Sequence, residues 1–315
     1  MKFWFGILLL LMLSGVNVHA QFPAFNFSKI SVEQGLSNRV ITSIFQDETG
    51  FIWAGTYDGL NRLDGYRIKQ FFYQPNNSVG LSSNVIHQIT GKQKMWVSTE
   101  AGFSFLNNQQ QFEKIKTNET LNKVFRANLF EDEKNLWICC KDSLYLLLDG
   151  TIKNISIKFP KTLISCKKSV VSSISNITKD AIGNYWGWGD DFLFKLSLKD
   201  GKILQTFSIK THVHDGIIFA KQDDVDKHII WVGTWGNGLF KFNTTTNTSE
   251  LIALDNYVIH DLKSYTDVFG KRWLIAATNN GFSLINPTSF TTQQYNIGET
   301  FTILIDKQNN LWLGT

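Results

Sequence analysis

Cysteine is scarce in this sequence: Cys139, Cys140 and Cys166 are the only three. An odd count excludes complete internal pairing. Cys139 and Cys140 are neighbours, and neighbours on a strand point to opposite faces. Buried thiols are therefore expected, not a disulfide framework. Proline and methionine are rare too, at 4 and 3 residues. Basic runs are missing. The formal charge is only +4 and is scattered, with no Lys/Arg cluster of the kind that tracks a phosphate backbone, so nucleic acid is not an expected partner. No long segment carries the 3.6-residue apolar period of a helix. After the first twenty residues no second apolar run reaches the length of a membrane span.

Those twenty residues are a separate matter. Lys2 gives a small positive start, FWFGILLLLMLSG an apolar stretch, and Val18-His19-Ala20 small side chains before a cut. Residues 1–20 read as a cleaved secretory signal, with residues 21–315 as the mature chain. No Cys follows the cut, so a lipid anchor is not expected. The mature chain is expected to be soluble and periplasmic.

Aromatics are abundant at 14%, with 10 Trp and 25 Phe. The Trp residues are not scattered. W53-A-G-T-Y-D-G-L60 returns as W96-V-S-T-E-A-G-F103, then as W137-I-C-C-K-D-S-L144, W186-G-W-G-D-D-F-L193 and W231-V-G-T-W-G-N-G-L239. Residues 273–282 form a sixth copy with a shifted Trp, and W312-L-G-T315 begins a seventh. Successive Trp lie 43, 41, 49, 45, 42 and 39 residues apart.

A second signal precedes the Trp. Asp47-x-x-Gly50-x-x-Trp53 recurs at Asp180, Gly183 and Trp186 and at Asp267, Gly270 and Trp273, with Asn309 replacing the Gly before Trp312. Asn and Gly both tolerate positive φ, so this is a hairpin turn. Glu131 and Lys134 hold the matching places before Trp137. In the first unit VITSIFQ, FIWAGT, LNRL and YRIKQFFY read as four short strands separated by turns. Four strands in about 43 residues is the signature of a propeller blade.

A lone blade has two apolar faces and no partner for either; repetition around an axis gives each face one. The repeated Trp53, Trp96, Trp137, Trp186, Trp231, Trp273 and Trp312 are read as fillers between blades, not as ligand contacts. The expected fold is all-β: a seven-bladed β-propeller of four-stranded antiparallel blades, the last blade incomplete. Segment 22–34 is expected to help close the ring, and the chain reads as a fragment of a longer protein.

The string GLSNRVITSIFQDETGFIWAGTYDGLNRLDGYRIKQFFY, residues 35–73, resembles the two-component regulator propeller repeat. That family has GLS-N before the first strand, D-x-x-G-x-x-W-x-G-T at the hairpin and GLNR-x-D-G after it. GLSSNVIHQI and NNLWLGT repeat parts of the pattern, while Cys139-Cys140 and the spacing after Trp273 depart from it. The resemblance implies the extracytoplasmic sensor of a hybrid two-component receptor, with oligosaccharide ligands and a histidine kinase elsewhere in the parent. It implies sensing without catalysis in this chain, and neither cofactor nor metal.

In a propeller, the approaches to each first strand and the turns joining strands two and three share one face. Candidate ligand contacts there are Arg39, Tyr57, Asp58, Glu100, Trp188, Asp190, Trp235 and Asn237, with Asn38, Asn84 and Asn279 nearby. Aromatics beside amides, carboxylates and an Arg suit a sugar's apolar face and hydroxyls. The bland alternative is a set of ordinary exposed turn residues. His212, His214 and Asp215 meet metal-ligand spacing only loosely, and no third ligand is identifiable. A sialidase-like hydrolase would need an Arg cluster, of which only Arg39 is placed near the well, with Arg62 and Arg126 elsewhere. Quinone-dependent dehydrogenases have longer repeats and a calcium site. A non-catalytic envelope scaffold is the third alternative. Unpaired strand edges in an incomplete ring invite dimerisation.

Overall fold

A computed structural model describes residues 22–77, 79–92, 94–115, 128–132, 135–140, 143–148, 151–157, 176–180, 182–189, 192–209, 216–254 and 257–315. Blade 1 contains β1 (Ile41–Gln46), β2 (Ile52–Thr56), β3 (Gly59–Leu63) and β4 (Ile68–Phe71). Blade 2 contains β5 (Ile86–Thr90), β6 (Trp96–Thr99), β7 (Gly102–Leu106) and β8 (Phe112–Lys114). Blade 3 is β9 (Asn128–Asp132), β10 (Asn135–Cys140), β11 (Ser143–Leu148) and β12 (Thr151–Ser156). Blade 4 is β13 (Asn176–Lys179), β14 (Tyr185–Gly189), β15 (Phe192–Ser197) and β16 (Lys202–Ser208). Blade 5 is β17 (Ile217–Gln222), β18 (Ile229–Thr234), β19 (Leu239–Asn243) and β20 (Thr248–Ala253). Blade 6 is β21 (Ile259–Thr266), β22 (Arg272–Thr278), β23 (Gly281–Ile285) and β24 (Thr292–Tyr295). A last sheet has two strands, β25 (Thr302–Ile305) and β26 (Leu311–Gly314). Every ladder is antiparallel between sequence neighbours.

The architecture is thus six complete blades and a two-stranded sheet; of the expected incomplete seventh blade only those two strands are present. The small sheet still closes the ring. Each first strand packs on the next from β1 through β21, β21 packs on β25, and β25 packs on β1. The Ile41 N–H donates to the Thr315 carbonyl at 3.1 Å across the closure. Lys307 Nζ reaches the carbonyls of Asp47 and Glu48 at 3.0 and 2.9 Å. Segment 22–34 makes no strand; apart from a short 3₁₀ turn at Val32–Gln34 it is irregular. It nevertheless covers blade 6 on the side facing the small sheet. Phe22 packs on Trp273 at 5.0 Å between ring centroids, Phe25 packs on Phe282 at 5.8 Å, and the Tyr295 hydroxyl donates to the Pro23 carbonyl.

The repeated Trp side chains fill the gaps between blades, as expected. Trp53, Trp137, Trp186, Trp231 and Trp273 are at most 5% exposed, and Trp96 is 9%. Trp312 is only half-buried, in the sheet that lacks outer strands. Burying one Trp removes about 150–250 Å², a gross contribution of about 4–6 kcal/mol. The hairpin Asp adds a polar anchor. Its Oδ2 accepts the indole N–H: Asp47 from Trp53 (2.7 Å), Asp180 from Trp186 (2.8 Å), Asp267 from Trp273 (2.9 Å) and Asp306 from Trp312 (2.8 Å). Its Oδ1 caps turn amides, such as those of Phe269 and Lys271 on Asp267. Blade 5 has the same clasp hidden by a longer turn: Asp223, eight residues before Trp231, accepts its indole N–H at 2.6 Å.

Blade 3 departs from this plan. Glu131 lies in β9, not in the turn, and accepts the Lys92 N–H of blade 2. Trp137 Nε1 is buried with no acceptor among the described residues. Lys134 lies outside the described residues. Cys139 is buried, as its apolar surroundings require.

Candidate ligand-binding face

The Gly-Leu-Ser approach and the Gly-Leu-Asn strand prove to be two halves of one clamp. Leu36 is buried, and the Ser37 N–H donates to Asn61 Oδ1 at 2.9 Å, while Asn61 Nδ2 donates to Ser37 Oγ at 2.8 Å. Blade 2 repeats it with Leu81, Ser82 and Ser104, whose hydroxyls lie 3.1 Å apart. Gly35 and Gly80 precede these clamps at φ of 110° and 120°, values that exclude most side chains. The clamp fixes each approach onto the ring and presents the turns beyond it on one side, the upper face.

The turn joining strands two and three is closed by a Thr in four blades. Thr56 Oγ1 donates to the Gly59 carbonyl, Thr99 to Gly102, Thr234 to Gly238 and Thr278 to Gly281, at 2.8 to 3.1 Å. Three of these turns are also tied to the approach of the next blade. Gly59 N–H donates to the Asn84 carbonyl, Gly238 N–H to the Tyr257 carbonyl and Thr300 N–H to the Thr278 carbonyl. The face is therefore built of held turns.

First strands carry an irregularity that period-two reading does not anticipate. The ladder shifts between Ile41 and Ser43, Ile86 and Gln88, Ile217 and Phe219, and Ile259 and Asp261. The extra residues are Thr42, His87, Ile218 and His260. A bulge re-aims its side chain. Thr42 Oγ1 donates to the Ile86 carbonyl of the next blade, and the Ile218 carbonyl accepts from Trp188 Nε1 of the preceding one. Phe301 holds the matching place before β25, because Thr302 pairs with Gly314 as Ser43 pairs with Gly55.

The candidate residues separate on this frame. Tyr57, Asp58 and Glu100 are exposed in the upper turns, and Asp58 accepts from Asn84 Nδ2 at 2.9 Å. Trp235 is 58% exposed. Arg39 is exposed beside a cavity of about 1040 Å³ between segment 24–33 and β26, lined also by Ile52, Ala54 and Leu63. Trp188 and Asn237 are corrections. Trp188 is 4% exposed within the packing between blades 4 and 5, and Asn237 is 2% exposed. Neither presents a surface to a ligand. Asp190 lies outside the described residues, as do His212, His214 and Asp215. Among the described residues no three His, Cys, Asp or Glu side chains converge to hold a metal ion. Arg62 lies over the Phe51 ring at 4.4 Å, a hairpin contact away from any ring-face well, and Arg126 is outside the described residues.

Three residues that sequence reading missed form a chain of contacts leading from Trp235. His260 packs perpendicular to its indole at 6.4 Å between centroids, and Phe301 packs on His260 at 5.2 Å. His260 Nε2 lies 3.0 Å from Glu299 Oε1. A carboxylate only accepts, so Nε2 carries the proton and donates. Trp235 also bridges the backbone of Val258. The result is a rigid aromatic cluster with a carboxylate at its rim, spanning blades 5 and 6 and the small sheet.

Residues 35–58 match the family model described as two component regulator propeller. The chain carries that repeat. A 67-residue stretch is 36% identical to Histidine kinase P4 of Formosa agariphila, covering 21% of this chain and 5% of the kinase. The fold aligns with the extracellular domain of BT3049 of B. thetaiotaomicron, described as a hybrid two component system. The TM-score is 0.72 at 24% identity, over 91% of this chain and 40% of that one. For BT4673 of the same organism the TM-score is 0.69 at 20% identity, over 89% and 38%. YCF48 from Cyanidioschyzon merolae aligns at 0.64 and 14% identity, over 89% of this chain and 94% of its own. These likenesses establish the propeller fold. This chain spans about two fifths of the two bacterial extracellular domains. Among the described residues no helix is long and apolar enough to cross a membrane.

Proposed function

We propose that this chain is the extracytoplasmic ligand-sensing propeller of a two-component receptor. It recognises a glycan-derived oligosaccharide on the upper face and signals to a histidine kinase in the parent protein. Residues 1–20 serve as a cleaved export signal, and the propeller works in the periplasm without cofactor or catalysis. The observation that carries this reading is the regulator propeller repeat at residues 35–58, together with the stretch shared with a histidine kinase. The held turns and the exposed Trp235 support recognition on that face.

The test is a thermal-shift screen of the purified protein against oligosaccharides released by glycan digestion. A ligand at a hundred times its Kd stabilises by about 2.7 kcal/mol, which raises Tm by several degrees in a domain of this size. A Tm unchanged across such a pool would count against oligosaccharide sensing.

A further inference from the structure

We infer that the Trp235 platform takes a sugar ring bearing no acidic substituent, a neutral or an amino sugar. The inference rests on the oligosaccharide reading above and adds position and selectivity to it.

Three observations support it. The first is an exposed indole on a held backbone. Trp235 is 58% exposed, while its backbone N–H donates to the Gly216 carbonyl at 2.9 Å and Thr234 closes its turn. The backbone has little freedom left for a ligand to freeze, which favours binding. His260 meets the indole in a perpendicular contact, and much of the side chain remains exposed. A pyranose offers an apolar C–H face to such a ring.

The second observation is the rim. Glu299 holds His260 with one oxygen and is 47% exposed, so the carboxylate has room for a further donor. As an acceptor only, it takes a hydrogen from a hydroxyl or an ammonium. It repels a uronate or a sulfate, and such built-in repulsion discriminates as strongly as attraction.

The third observation is the charge of the face. The described charged side chains of the upper turns and approaches are Asp58, Glu100 and Glu299 against Arg39, on a chain whose overall charge is +4. Arg39 lines the cavity beside β26. Among the described residues no Lys or Arg pairs with Glu299 or stacks on Trp235 to offset an acidic sugar.

The experiment is calorimetric titration of the full chain with three probes: neutral manno- and gluco-oligosaccharides, chitosan oligosaccharides and oligogalacturonate. The neutral or the amino probe should bind and oligogalacturonate should not. Trp235→Ala should weaken binding at least about tenfold, as loss of a central aromatic anchor does, while Trp235→Phe keeps most of it. Because Trp235 is exposed, unchanged melting of both variants checks that they fold. Glu299→Gln should relax the rejection of oligogalacturonate. Oligogalacturonate binding as tightly as the neutral probes would overturn the inference. So would a neutral probe whose affinity is unmoved by Trp235→Ala, although oligosaccharide sensing would then survive. No heat from any probe would overturn both.

Discussion

Five indole N–H groups end on aspartates in the first hairpins of blades 1, 4, 5 and 6 and of the small sheet. Burial alone would raise the carboxyls of Asp223, Asp267 and Asp306. The hydrogen bonds they accept outweigh it and hold them below the ordinary carboxylate value: Arg272 and Trp231 on Asp223, Trp273 and the Lys271 amide on Asp267, Trp312 and Asn310 on Asp306. Such groups take up protons on unfolding. Their contribution is therefore complete above the usual carboxylate range and is lost as pH falls through the depressed folded values. Urea midpoints measured between about pH 6 and pH 3 should fall with pH, and Asp267→Asn should flatten that slope. Asp223 is also paired with Arg272 and is almost fully enclosed. Asp223→Ala should cost about 3–5 kcal/mol, because it strands a half-buried guanidinium. Asp306→Ala should cost less, about 1–3 kcal/mol, because it removes the acceptor of the half-buried Trp312 indole and of the exposed turn amides of Gln308 and Asn310 but strands no charge. Equilibrium denaturation followed by Trp fluorescence separates the two.

At the scale of the strand and hairpin, parity decides what a blade tolerates. In blade 6 the ladder places Ile275 where blade 1 has Trp53, and Trp273 stands two residues earlier. An offset of two keeps the indole on the same face of the sheet, so the shifted Trp still packs between blades. Blade 5 instead lengthens the turn and keeps Trp231 in register. The β22–β23 turn shows the opposite intolerance. A Cβ on Gly281, at φ 104°, would strike the Tyr295 carbonyl, whereas Gly298, at φ 95°, faces open space. Gly281→Ala should cost about 2–4 kcal/mol and Gly298→Ala about 1 kcal/mol, measured by urea denaturation.

The same parity explains what the sequence revealed and what it hid. Strands, turns and blade-filling Trp residues were legible because each carries a local period. Trp188 was counted among the ligand contacts, although it lies two residues from Trp186 on one strand and shares its buried face. Asp223 was hidden by two extra turn residues. His260 and Phe301 were hidden because a bulge is a backbone irregularity that no residue type announces. Glu299 was hidden because its meaning depends on a contact with another blade.

At the scale of the molecule, a ring closes through half a blade. β25 and β26 fill the gap between blades 6 and 1 near the axis, and segment 22–27 shields the outer face of blade 6. Deleting residues 22–27 should uncover Trp273, Phe282 and Tyr295. It should lower stability by several kcal/mol, at about 25 cal/mol per Å² of apolar surface uncovered, and increase binding of a hydrophobic dye. Unchanged melting and dye binding would mean that the segment does not seal the ring. Closure bears on the proposed function because it brings Phe301 and Glu299, on the approach to the last sheet, against His260, which packs on Trp235. The most direct measurement is hydrogen exchange by mass spectrometry, with and without a bound neutral oligosaccharide. The account predicts protection at Trp235, at Val258–His260 and at Glu299–Phe301. Protection confined to the Asp-Trp hairpins on the opposite side would contradict it.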